Sequence, residues 1–165
     1  NTGKKRYAPI NGGFNIAAGY KGFSLAADFA YVLGKYLTNN DAYFYDNAAQ
    51  FLGYNQRKDV TDYWTVDNKD AKYPNWAKGY QMQFDTHLLE NASFLRLKNF
   101  QLGYLFDQKL LGFQNVVQTV KLTFTARNLF TITGYKGLDP EINSNVVLGR
   151  VGNTKQFLFG VELTF

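Results

Sequence analysis

Hydrophobic and polar positions alternate along several stretches of the chain. In 155–165 one parity reads Phe157, Phe159, Val161, Leu163 and Phe165, and the other reads Gln156, Leu158, Gly160, Glu162 and Thr164. A period of two predicts a strand with two unlike faces, and the length suits the ~9–11 residues of a tilted membrane strand. Segment 119–130 sets Val120, Leu122, Phe124 and Ala126 against Lys121, Thr123, Thr125 and Arg127. Charges on one face are costly in lipid but natural toward a wet lumen. Segment 93–106 sets Phe100, Leu102, Tyr104 and Phe106 against Asn99, Gln101 and Gly103. Arg96 and Lys98 share its apolar parity, so they are expected above the hydrocarbon, where long cationic side chains reach water.

Segments 13–20 and 23–34 predict a hairpin around Lys21-Gly22, because Gly22 supplies the positive φ of a two-residue turn. Phe14, Ile16, Ala18 and Tyr20 form one apolar face, continued by Phe23, Leu25, Ala27, Phe29, Tyr31 and Leu33, while Asp28 falls on the other. The expected fold is therefore all-β, a transmembrane antiparallel barrel. Asp28, Lys121, Arg127 and Glu162 are the expected lumen-facing charges. With the chain end in the periplasm, 35–91 and 131–153 both become extracellular. The turn at Lys21-Gly22 and the segment 107–118, with a helical piece at Gln108–Leu111, become periplasmic. Long connections on one side and short ones on the other is the barrel pattern. Five strands leave edges that hydrocarbon does not tolerate, so the remaining strands are expected from elsewhere.

Composition agrees with that pattern. Aromatics are 18% of residues, nearly all Phe and Tyr, Pro is scarce and Cys absent. Without Cys, disulfides and thiolate metal sites are excluded. The net charge is +5, but Lys and Arg are scattered beyond Lys4-Lys5-Arg6, which argues against a nucleic-acid surface. No apolar run approaches a membrane helix. The basic start is followed by no apolar segment of a signal peptide, so the chain is expected to be a piece of a longer precursor.

Several motifs in series then carry a family resemblance. The run Asn91-Ala92-Ser93-Phe94-Leu95-Arg96-Leu97-Lys98-Asn99 with Leu102-Gly103-Tyr104 resembles the C-terminal barrel region of SusC/RagA-type TonB-dependent outer-membrane transporters. So do Ala126-Arg127-Asn128-Leu129-Phe130-Thr131 with Tyr135-Lys136-Gly137-Leu138-Asp139-Pro140-Glu141, Tyr20 to Leu25, and Trp64 to Asn68 with Tyr73-Pro74. The resemblance departs at Asn153 to Gln156, where members often carry Tyr-Pro. It implies about the last five strands of a plugged barrel of about 22, filling 1–165, with the plug domain outside this chain. It also implies import of oligosaccharides, peptides or other large nutrients. Implied partners are the rest of the barrel and its plug, a SusD-like surface lipoprotein, TonB, outer-membrane lipid and the barrel assembly machinery. The implied location is the Gram-negative outer membrane.

No catalytic constellation stands out. His87 has no second His or Cys, and one neighbouring Glu90 is not a reaction centre. Asp59, Asp62, Asp67 and Asp70 crowd one loop where calcium is conceivable, but they lack the EF-hand spacing, and a solvated loop is the simpler reading. Candidate substrate or lid contacts are the loop aromatics Tyr43, Tyr45, Trp64, Tyr73 and Trp76, because aromatic faces dominate binding surfaces. Their simpler role is packing the loop on itself. The terminal set Phe157, Phe159, Val161, Leu163 and Phe165 resembles a barrel-assembly signal, and Phe165 also suits an interfacial girdle. Alternatives to the importer are a soluble β-sandwich that binds carbohydrate and a small pore self-assembled from several copies.

Overall fold

The computed structural model describes residues 2–106, 117–142 and 151–165. Its main body is one antiparallel five-stranded sheet, in the order β1 (Ile10–Tyr20), β2 (Phe23–Leu33), β5 (Phe94–Phe106), β6 (Thr119–Thr133) and β7 (Gln156–Thr164). Each strand lies beside the next one of the sheet in sequence. This is the up-and-down path of a barrel wall, and here it is open along β1 and β7. The expected helical piece at Gln108–Leu111 lies outside the described residues. Between β2 and β5 a short ribbon, β3 (Tyr36–Thr38) against β4 (Leu89–Asn91), carries the long connection away from the sheet.

Lys21 and Gly22 join β1 to β2 with φ of 45° and 85°. Two positive φ values make a type I′ turn, whose twist matches the strands it joins. From there the register runs Tyr20 against Phe23 up to Ile10 against Leu33 without a break.

Register assigns every strand residue to a face. Phe14, Phe29, Leu97 and Phe130 share a row, and so do Ala18, Leu25, Leu102, Phe124 and Phe159. This face is a continuous apolar surface knitted by ring contacts. Phe14 stacks on Phe29 at 4.8 Å, and Phe124 lies 5.1 Å from Phe159. Its side chains are nonetheless open to their surroundings: Phe159 is 82% exposed and Ile16 51%. An apolar surface of this extent requires an apolar neighbour. The opposite face is small and polar, with rows such as Gly19, Ser24, Gly103, Thr123 and Gly160.

One expectation from alternation is corrected. Leu97 is level with Phe29 and Phe130, whereas Asn99 is level with Asp28 and Arg127. A bulge at Lys98 thus inserts one residue, and an inserted residue reverses strand parity and re-aims side chains. Beyond it Leu95 and Leu97 continue the apolar face, and Arg96 turns to the polar face. On β6, Asn128 and Leu129 occupy the same break, with Asn128 at φ 51°.

Candidate functional site

The long connection folds around its own small core. Ala42, Tyr73, Met82 and Leu88 are buried together, with Tyr43, Val60, Tyr63 and Trp76 packed against them. Asn39 starts the short helix α1 (Asn40–Tyr45), its side chain accepting the Ala42 N–H at 3.3 Å. Buried Asn47 accepts the Met82 N–H at 3.2 Å and donates to Gln50 Oε1 at 3.1 Å, so one amide ties two distant turns. Polar side chains replace regular structure here, which satisfies backbone groups without a ladder.

Core packing divides the candidate aromatic contacts. Tyr73 is 1% exposed and sits in the core. Trp76 donates its indole N–H to the Val60 carbonyl at 3.1 Å and packs 5.8 Å from Tyr73. Tyr43 is half-buried and donates its hydroxyl to Gln50 at 2.9 Å. Tyr45 and Trp64 reach the surface at 47% and 37% exposure. Tyr45 joins Phe44, Phe51, Tyr54 and Asn55 around an apolar cleft of about 390 Å³. Phe51 and Tyr54 were not singled out from sequence. The run Phe51-Leu52-Gly53-Tyr54, an apolar cluster inside a polar loop, was the available signal.

Two of the four loop aspartates have other partners. Asp59 bonds Lys72 at 2.9 Å, and Asp62 accepts from Asn68 at 3.0 Å. The Lys72 hydrogen bond holds Asp59 below its ordinary carboxylate range. Among the described residues no group of three or more His, Cys, Asp or Glu side chains converges on a metal site. The His87 ring lies 5.8 Å from that of Tyr73.

Asp28, Lys121, Arg127 and Glu162 all fall on the polar face of the sheet. Asp28 shares a row with Asn99 and Arg127 and accepts from Asn99 at 3.2 Å, and Lys121 is the register partner of Glu162. Phe157, Phe159, Val161 and Leu163 line the apolar face of β7 beside Ala126, Phe124, Leu122 and Val120. Phe165 follows the strand, 73% exposed.

The most constrained polar cluster joins two of the sequence motifs. Arg96, 3% exposed, donates to Asp139 at 2.6 Å, to Glu141 at 2.5 Å and to Thr131 at 2.8 Å. Lys98 donates to both oxygens of Glu141, at 2.5 and 2.7 Å. Lys35 donates to the Pro140 and Ile142 carbonyls at 2.7 and 3.0 Å. The second Asp139 oxygen accepts the Asn153 N–H at 2.8 Å. Burial pushes the Asp139 carboxyl up, but Arg96 and the Asn153 and Glu141 N–H groups outweigh it, and its pKa lies below the ordinary value. Burial lowers the Lys35 pKa, with Glu141 and Asp139 partly opposing. Every ion in the cluster is paired or hydrogen-bonded, as buried charge requires. These groups therefore fasten the β6–β7 connection to the sheet.

An open antiparallel sheet with one exposed apolar face and one polar face defines a segment of transmembrane β-barrel wall. The comparisons name the kind. No family model matches the chain. TonB-dependent receptor P3 of Formosa agariphila is 28% identical over 165 residues, 93% of this chain and 16% of its own length. TonB-dependent receptor SusC of Bacteroides thetaiotaomicron is 38% identical over 81 residues, 48% of this chain and 8% of its own. The solved structure of the RagAB peptide transporter superposes with a TM-score of 0.88 at 47% identity, over 99% of this chain and 18% of that one. Along nearly its whole length the chain is similar to SusC/RagA-type TonB-dependent receptors. It spans less than a fifth of the length of these relatives.

Proposed function

We propose that this chain is barrel wall and two extracellular connections of an outer-membrane importer of large nutrients, with peptides the leading substrate class and oligosaccharides the alternative. The observation that carries this reading is the likeness to the RagAB peptide transporter along nearly the whole chain. The apolar face meets lipid, and the face bearing Asp28, Lys121, Arg127 and Glu162 lines the lumen. The connections 35–93 and 134–153 stand outside the cell, and the end of β7 lies in the periplasm. Phe165 and the apolar parity of β7 form the signal for barrel assembly.

A SusD-like lipoprotein covers the connections, and TonB supplies energy through parts of the protein outside this chain. Of the loop aromatics, Tyr45 and Trp64 are placed to touch substrate or lid, because their rings reach the surface. Tyr43, Tyr73 and Trp76 hold the loop in shape.

The test is uptake by cells carrying the whole protein or lacking its gene. Mixed oligopeptides and oligosaccharides are supplied separately, and loss of each is measured. Peptide uptake that depends on the gene supports the reading. Uptake of both classes unchanged by the deletion sinks it.

A further inference from the structure

We propose that the long connection and residues 134–142 of the second one form one mechanical body with two separable joints. The inner joint ties the β6–β7 connection to the stem of the long loop. One Glu90 oxygen accepts from the Asn39 amide at 3.1 Å, and the other accepts the Lys136 N–H at 2.8 Å. Beside it, Tyr135 is buried with Leu37, in the middle of β3, and Ala92, which follows β4. The helix cap of the long loop, the stem and residues 135–136 therefore share one carboxylate and one apolar contact. The outer joint is the Arg96 cluster, which ties Asp139 and Glu141 to β5.

The chemistry of the two joints differs, so they can fail separately. The inner joint is an apolar contact, a carboxylate on an amide and an N–H, and Lys35 at the foot of the stem donating to the Pro140 and Ile142 carbonyls. The outer joint is a charge-assisted network, the stronger class of hydrogen bond. Between sheet and stem the chain has a point of bending. Gly34 takes φ 76° and its N–H bonds Ser93 Oγ at 2.9 Å, between the last pair of β2 with β5 and the first of β3 with β4. A body attached through that point pivots unless something braces it, and Arg96 is the brace. Force applied to the exposed end of the long loop, where Leu52 is 85% exposed, would reach Asp139 through Glu90 and Tyr135.

Spin-label distances in the whole protein, purified in detergent, test this. Labels go at Leu52 in the long loop, Leu138 in the other connection and Leu102 on the outer face of β5. Glu90→Ala combined with Lys35→Met should broaden the Leu52–Leu138 distribution at least twofold and leave Leu138–Leu102 narrow. Arg96→Met should broaden Leu52–Leu102 and Leu138–Leu102 together and leave Leu52–Leu138 narrow. Where either variant fails to assemble, Glu90→Gln with Lys35→Met, and Asp139→Asn, break the same joints with smaller changes. The reciprocal pattern supports two joints. Unchanged distributions, or both variants broadening all three pairs, overturn the proposal, whatever the protein transports.

Discussion

Arg96 and Asp139, 43 residues apart in sequence, meet at 2.6 Å with each side chain 4% exposed. Removing one partner of such a pair strands the other charge, at a cost of roughly 3–5 kcal/mol. Arg96→Met should therefore loosen 134–142 while the sheet persists. Hydrogen exchange of the Glu141 and Asn153 N–H groups, which bond Asp139, is the measurement, and protection equal to wild type would refute the assignment.

The same pair has an acid limit. Asp139 has its pKa lowered from 3.8, so its contribution is fully present above that value. It is lost as pH falls through the depressed native value, because the native state then takes up the proton later than the unfolded one. Protease sensitivity of the β6–β7 connection should rise only below about pH 4. A rise beginning near pH 6 would point to another group.

Tyr135 carries a buried hydroxyl with no hydrogen-bond partner among the described residues. Desolvation, then Glu90 and Asp41, push its pKa from 10.0 up to about 12. Its neutral form is favoured in the fold, so this stability is full below pH 10 and lost as pH rises toward 12. Tyr135→Phe removes an unsatisfied polar group and should be neutral or stabilising by up to about 1 kcal/mol. Destabilisation beyond 1 kcal/mol in thermal melts would reveal a partner for the hydroxyl.

Gln101 and Leu102 are neighbours on opposite faces of β5, with Leu102 in the apolar row. Leu102→Arg should cost about 2–4 kcal/mol if that row lies at mid-bilayer, and Gln101→Arg little. The readout is the amount of heat-modifiable barrel in the outer membrane. Equal effects of the two would contradict the lipid and lumen assignments.

Lys21 is one of two non-glycine residues with positive φ among those described. Asn tolerates that region better, so Lys21→Asn should raise hairpin stability by a few tenths of a kcal/mol. Gly22→Ala should lower it by about 1 kcal/mol or more, because a Cβ there would stand 2.8 Å from the Leu105 carbonyl. Refolding yields in detergent would order the three forms.

Alternation alone exposed the all-β class, the hairpin turn and the two unlike faces, because period two is a local property of the chain. The family motifs were equally legible, but not their purpose. Arg96 stands in one motif and Asp139 and Glu141 in another, and no linear pattern says that they touch. The bulge at Lys98 escaped for a related reason. Arg96 and Lys98 interrupt the apolar parity of their strand, but only the partner strands show that a residue has been inserted.

Tyr73 marks the boundary of what could be read. The sequence by itself determined that this loop is aromatic and that the strands present an apolar face, since both follow from residue type and spacing. Only the tertiary structure decided that Tyr73 is core while Tyr45 and Trp64 reach the surface, and that Arg96 turns inward to brace the connection opposite. Those outcomes depend on non-local contacts and on register between strands, neither of which is encoded in the order of residues along one segment.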